Sequence, residues 1–154
     1  MKNAELRQLI GEKFGEAVVW SEKDDTVMTA EKDCLLPLMR CLKEQDYGFL
    51  ADITAVDYRD HFAMVYQLYQ FLGDGHLTVR VELNHDCPEV ESLCSLWDAA
   101  NWLEREALDL MGITFLNHPD PRRILLWDGY DGHPLRKDYV HHPSVYQGRR
   151  SIRK

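Results

Sequence analysis

Residues 118 to 139 read HPDPRRILLWDGYDGHPLRKDY and bring together side-chain types that do chemistry. Two His-Pro steps (His118-Pro119 and His133-Pro134), an Arg122-Arg123 pair, Asp120 and a closing Arg136-Lys137-Asp138 run offer imidazoles, guanidiniums and carboxylates. Such a set can ligate a metal, hold a ligand, or form a surface that another protein covers. For a metal, the candidates are His118, Asp120, His133 and Asp138, with His141 and His142. The spacing of fifteen between His118 and His133, across prolines, fits no helix-borne ligand pattern such as H-E-x-x-H. A second concentration, NWLEREALDLMGI, packs Glu104, Arg105, Glu106 and Asp109 into two helical turns. One reading is a solvated face with Arg105 paired to Asp109 four residues on. The other is that these carboxylates receive Arg122, Arg123 or Arg136, because bidentate Arg-carboxylate pairs can fix a segment that has little secondary structure of its own.

Other chemistries lack their scaffolds. No serine sits in a G-x-S-x-G turn, and neither a Walker loop nor G-x-G-x-x-G is present. Cys34, Cys41, Cys87 and Cys94 fall as two C-x6-C pairs, unlike zinc or iron-sulfur spacings, and read as reduced thiols in the core or half-buried. No catalytic residue and no metal site is therefore expected in this chain. A stand-alone metal-dependent hydrolase built on His118, Asp120 and His133 is the contrasting reading.

The elements that must position these residues follow from periodicity. Prolines at 119, 121 and 134 keep any long helix out of the segment, which is expected to be extended. Leu6, Leu9 and Ile10 mark a first helix, and EAVVW and TVMTA flank SEKDD as a small hairpin. A second helix runs from Asp33 and ends before Gly48. Three strands then form an antiparallel meander: GFLADITAVDY, FAMVYQLYQFL and HLTVRVEL. In the last, Leu77, Val79, Val81 and Leu83 alternate with His76, Thr78, Arg80 and Glu82, giving one buried and one wet face. A helical pattern from Pro88 to Met111, with a break near Asp98 to Asn101, stops at Gly112. The expected fold is a compact mixed α/β (α+β) domain over 1–117, its meander flanked by helices, with an extended basic C-terminal tail over 118–154 packing on partner subunits.

At 154 residues and 45% hydrophobic content, the chain suits one domain. Nothing in it approaches a membrane span or a signal peptide, so a soluble, intracellular protein is expected. The net charge of −8 is uneven: residues 1–117 carry 10 Lys+Arg against 22 Asp+Glu, and residues 118–154 carry 8 against 4. RNA, an anionic surface or an acidic protein could meet the basic tail. Nucleic acid is the weakest of these, since the acidic body repels phosphate and no RNA-binding signature is present.

The stretch EREALDLMGITFLNHPDPRRILLWDGYDGHPLRKDY, residues 104 to 139, closely resembles the signature of the C subunit of proton-pumping NADH-quinone oxidoreductase, a family with chloroplast and hydrogenase-type relatives. The pattern is met at Glu104, Arg105, Glu106, Asp109, Gly112, Ile113, Phe115, His118, Pro119, Asp120, Arg122 to Leu125, and Gly132, His133, Pro134, Leu135, Arg136, Lys137 and Asp138. Leu108 and Met111 depart from it while keeping apolar volume. FLADITAVDY resembles the family's strand ending in Asp-Tyr, so the likeness spans roughly residues 30 to 140. It implies a non-catalytic structural subunit of the peripheral arm, beside the D subunit that forms the quinone site and neighbouring iron-sulfur subunits. It implies no cofactor in this chain, with FMN, iron-sulfur clusters and quinone in other subunits, and a peripheral place on the cytoplasmic face of the inner membrane through the complex. The equivalent subunit of a hydrogenase-type, F420- or ferredoxin-linked complex is the alternative. The motif residues would then serve partner binding and structure.

Overall fold

The computed structural model describes residues 3–141. Helix α1 (Asn3–Phe14) leads into a hairpin of β1 (Val18–Trp20) and β2 (Val27–Ala30), then α2 (Leu35–Glu44). The meander follows as β3 (Phe49–Asp57), β4 (His61–Tyr69) and β5 (His76–Asn84). The meander and its antiparallel register are as the alternation predicts. The hairpin does more than expected: β2 pairs parallel with β5, so the sheet has five strands in the order β1-β2-β5-β4-β3 and is mixed. Pro37 falls in the first turn of α2, where its missing N–H has no intrahelical partner to lose.

Strand alternation decides what faces the core. Ile53, Tyr66 and Val79 stand in one register row, and Asp57, Phe62 and Leu83 in another, all buried. Leu6 and Ile10 of α1 and Leu35, Leu38, Met39 and Leu42 of α2 belong to the same buried cluster. On the opposite face the row Thr54–Val65–Arg80–Thr29–Val19 ends in exposed residues at both edges. Thr78 departs from its expected wet position: it is buried and donates to Gln67 Oε1 at 3.1 Å.

The helix expected from Pro88 is a strand at its start. β6 (Glu89–Glu91) pairs parallel with β7 (Thr114–Leu116), turns follow, and α3 begins only at Ala100 and ends at Met111. Only Val90 is buried in the Glu-Val-Glu triplet, a period of two that the helical reading passed over. Leu93 and Trp97 are buried within the turns, and the Trp97 indole N–H donates to the Gly48 carbonyl at 2.7 Å. The cysteines are free; Cys41 is buried and Cys34 and Cys94 half-buried, but Cys87 is exposed rather than packed.

Beyond β7, residues 118–141 form neither helix nor strand and fold back as a strap of successive turns across α3 to the β3–β4 end of the sheet. This described part carries four Lys+Arg against four Asp+Glu. The basic excess expected of the tail comes from Arg149, Arg150, Arg153 and Lys154, outside the described residues, as is His142.

Candidate functional site

Three buried carboxylates lie along the path of the strap: Glu104 beside its start, Asp109 under its middle and Asp57 at its far end. Asp109 does the most. Its Oδ2 accepts the backbone N–H groups of Ile124, Leu125 and Leu126 at 3.1, 2.8 and 2.8 Å, and its Oδ1 accepts Arg123 Nη1 at 2.8 Å. Burial alone would raise the pKa of this group; the three amides and the guanidinium outweigh it and hold the carboxyl below its ordinary range. Arg123 also reaches the Gly132 carbonyl.

The same strap finishes the end of α3. A helix leaves its last carbonyls without intrahelical partners; here His133 Nδ1 donates to the Asp109 carbonyl at 2.9 Å and the Leu135 N–H to the Leu110 carbonyl at 3.0 Å. The chain turns at Gly112, left-handed with φ 73°, and a side chain there would meet the His133 ring, with Cδ2 2.7 Å from its Cβ. Pro134 lies half-buried between these contacts.

At the start of the strap, Arg105 leaves Asp109 to others. It donates to the carbonyls of Arg122 and Arg123 at 2.9 and 3.1 Å and lies 3.6 Å from Asp120. Asp120 is bidentate to Arg122, whose side chain is largely exposed; Pro119 is exposed too. Glu104 accepts the Leu93 N–H and the Ser92 hydroxyl, each at 2.7 Å. His118 Nδ1 accepts the Asp120 N–H at 2.9 Å, so its neutral ring carries the proton on Nε2, which faces the Asn101 carbonyl at 3.3 Å and Glu104 Oε2 at 3.8 Å.

At the far end, Asp57 accepts the Lys137 N–H at 2.8 Å and the Arg59 N–H at 2.6 Å. Burial works to raise its pKa, and these hydrogen bonds with nearby His85 prevail and lower it. His85 Nε2 stands 3.4 Å from Asp57, near enough for attraction but too misaligned for a hydrogen bond. Its ring stacks on Phe62. The Arg136 guanidinium lies 5.1 Å from the centre of that same Phe62 ring and is bidentate to Asp138.

Of Arg122, Arg123 and Arg136, then, only Arg123 reaches a helix carboxylate; Arg122 and Arg136 pair within the strap. Glu106 is exposed and pairs with nothing among the described residues. Sequence reasoning noted Asp57 only as the Asp of a strand ending in Asp-Tyr, and counted neither it nor Ser92 among the site residues. Asp57 was findable: positions 53, 55 and 57 share a strand face, so an acid at 57 must be buried and must find partners.

Metal chemistry fits poorly. His118 and His133 hold carbonyls eight residues apart on α3, about 12 Å along the axis. The ligand atoms of Cys94, Glu104 and His118 do converge within 4.8 Å, but the only nitrogen His118 turns toward them carries a proton. In the cluster of Asp57, His85 and Asp138, Arg136 already supplies the cation.

Glu104 sets a pH dependence of its own. It is fully buried, and desolvation raises its pKa from 4.5 to about 6 against the Leu93 and Ser92 hydrogen bonds. A folded-state pKa above the unfolded one contributes stability below pH 4.5 that is lost as pH rises through 6. The loss should be about 2 kcal/mol. Urea unfolding of Glu104→Gln and the native chain between pH 4.5 and 7.5 checks this: the difference between them should shift by that amount toward the variant as pH rises, and a constant difference would refute it.

Across the middle of this arrangement, the family model described as "Respiratory-chain NADH dehydrogenase, 30 Kd subunit" matches residues 28–145. The chain belongs to this family. The C subunit of the NADH-quinone oxidoreductase of Moorella thermoacetica is 50% identical over 75% of this chain and 80% of its own length. The protein of the same name from Geotalea uraniireducens is 41% identical over 83% and 82%. Among solved structures, a trypsin-resistant fragment of Nqo5 superposes with a TM-score of 0.62 at 30% identity, covering 77% of this chain and 98% of the fragment. A chain of the membrane-bound sulfane sulfur reductase, an archaeal respiratory membrane complex, gives 0.76 at 22% identity over 94% and 89%, a likeness of fold alone. The mixed α/β fold of this 30 Kd subunit family is thus the fold of this chain, and its relatives are subunits of a multi-subunit oxidoreductase. No helix among the described residues is long and apolar enough to cross a membrane.

Proposed function

We propose that this chain is the non-catalytic C subunit of the peripheral arm of a proton-translocating NADH-quinone oxidoreductase. In this reading it holds the quinone-site subunit, meets neighbouring iron-sulfur subunits, and reaches the cytoplasmic face of the membrane only through them. FMN, clusters and quinone reside in those other subunits. The observation that carries the reading is the use of the family's signature residues. Arg105, Asp109, Arg123 and His133 are committed to seating an irregular strap on α3, each through a hydrogen bond between helix and strap. The strap turns Leu125, Leu135 and Val140 outward, all more than half exposed, on a segment fixed from beneath. A rigid loop with apolar side chains on its outer face suits a partner surface.

Affinity purification of the chain from its native membrane, with co-purifying subunits identified and NADH-quinone activity assayed, is the test. Recovery of quinone-site, iron-sulfur and membrane subunits together with that activity is expected. Recovery with a nickel-cysteine large subunit instead would assign it to a hydrogenase-type complex, and recovery of the chain alone would end the reading.

A further inference from the structure

We infer that the open edge of β3 and the flank of α3 beside it form a docking cleft for an extended segment of a neighbouring polypeptide that presents an arginine or lysine. The inference rests on the assembly-subunit reading and names the partner chemistry for a surface the strap does not use. β3 ends the sheet, paired only with β4, so one side of its backbone has no strand to bond. Free edges are commonly guarded by lysine, proline or a covering element. β3, FLADITAVD, has neither lysine nor proline; α3 packs against it but leaves Ala51, Asp52, Thr54 and Val56 exposed, and after the irregularity between Leu50 and Asp52 its register is regular to Asp57.

Along this edge runs a half-enclosed cleft of about 170 Å³, room for one long side chain. Asp52 to Ala55 form its floor, Ala107, Leu110 and Met111 of α3 one wall, and Leu135 of the strap its rim. Its only charged lining residues are two carboxylates, Asp52 and Glu106. Both are exposed, and neither has a hydrogen bond or ion pair among the described residues. The contrast within Glu-Arg-Glu is informative: Glu104 and Arg105 are buried and fully engaged by the loop and strap, whereas Glu106 points away from both. A strand added to β3 would complete the ladder through its backbone, and its cationic side chain would enter between the carboxylates over apolar walls. A nucleic acid backbone would be repelled by the same two groups.

The test uses the full chain in its native assembly. Asp52→Lys, Glu106→Lys and Glu106→Gln are introduced, and each purified chain is melted alone. All three are expected to melt within about 2 °C of the native chain, since the positions are exposed. Recovery in the membrane complex should fall about tenfold for either lysine variant and less for Glu106→Gln. In the native assembly, backbone amides of residues 52–55 should exchange more slowly than in the free chain. Lysine variants that assemble as well as the native chain, or amides with unchanged exchange, overturn the docking cleft while leaving the assembly reading intact. A native chain that joins no assembly overturns both.

Discussion

Asp109→Ala is expected to lower the unfolding free energy by roughly 3 to 5 kcal/mol. The group is fully buried and its two oxygens satisfy four donors: three consecutive backbone N–H groups and the Arg123 guanidinium. Alanine would strand all four, and an unpartnered buried donor keeps its desolvation penalty once its hydrogen bond is gone. Asp109→Asn should lose less, because the amide oxygen can still accept from two or three of the amides while its NH2 group opposes Arg123. Denaturant unfolding measures both, and amide exchange at residues 124–126 should rise in the alanine variant before the sheet is affected. A loss under 1 kcal/mol would mean that the strap is held by something other than this carboxylate. The pH dependence runs opposite to that of Glu104. The folded-state pKa of Asp109 is depressed, so its contribution is present above the ordinary carboxylate pKa and fades as pH falls through the folded value. Mild acid should therefore relieve the buried charge of Glu104 at the start of the strap, and only stronger acid, below the ordinary carboxylate range, should relax its middle.

The role of Arg123 follows from the same geometry. An arginine in a partner-covered tail would be expected to matter for assembly more than for folding. Paired with Asp109 inside the chain's own structure, it belongs to folding first, and Arg123→Ala should register in the isolated chain as well as in the complex.

What the sequence made legible was local. The meander could be read because side chains alternate with period two, and β5 shows it plainly from Leu77 to Leu83. The region 88–99 was misread because Val90, Leu93, Leu96 and Trp97 fall at spacings that a helix and a strand followed by turns both permit; the pairing of β6 with β7, across more than twenty residues, decides it. The addition of β2 to β5 is likewise invisible to any local window. At the site, residue types and their clustering pointed to ion pairs between α3 and the tail, and Arg123–Asp109 is one. Which arginine would win was not readable, since Arg122 and Arg136 each have an aspartate two residues away that closes a local fork. The Asp57–Lys137 contact spans eighty residues and depends on the strap first being folded over α3.

Gly112→Ala tests whether the helix end and the strap form one unit. Gly112 sits at φ 73°, ψ 26°, a left-handed conformation in which a β-carbon costs roughly 1 kcal/mol. That cost applies wherever glycine ends a helix. The second cost is particular to this chain: the added carbon would lie 2.7 to 3.1 Å from three atoms of the His133 ring. His133 can withdraw only by giving up its bond to the Asp109 carbonyl, and the Leu135 bond to the Leu110 carbonyl is two residues away on the same turn. Losing these should add about 1 to 2 kcal/mol, for a total of about 2 to 3. The two parts separate in a double-mutant cycle. His133→Ala alone loses the cap bond, and in its presence Gly112→Ala meets no ring and should retain only the backbone cost. The double variant should accordingly be more stable than the sum of the single losses predicts, by about 1 kcal/mol or more. Strict additivity would show that the ring moves aside without consequence, and that the strap does not depend on how α3 ends.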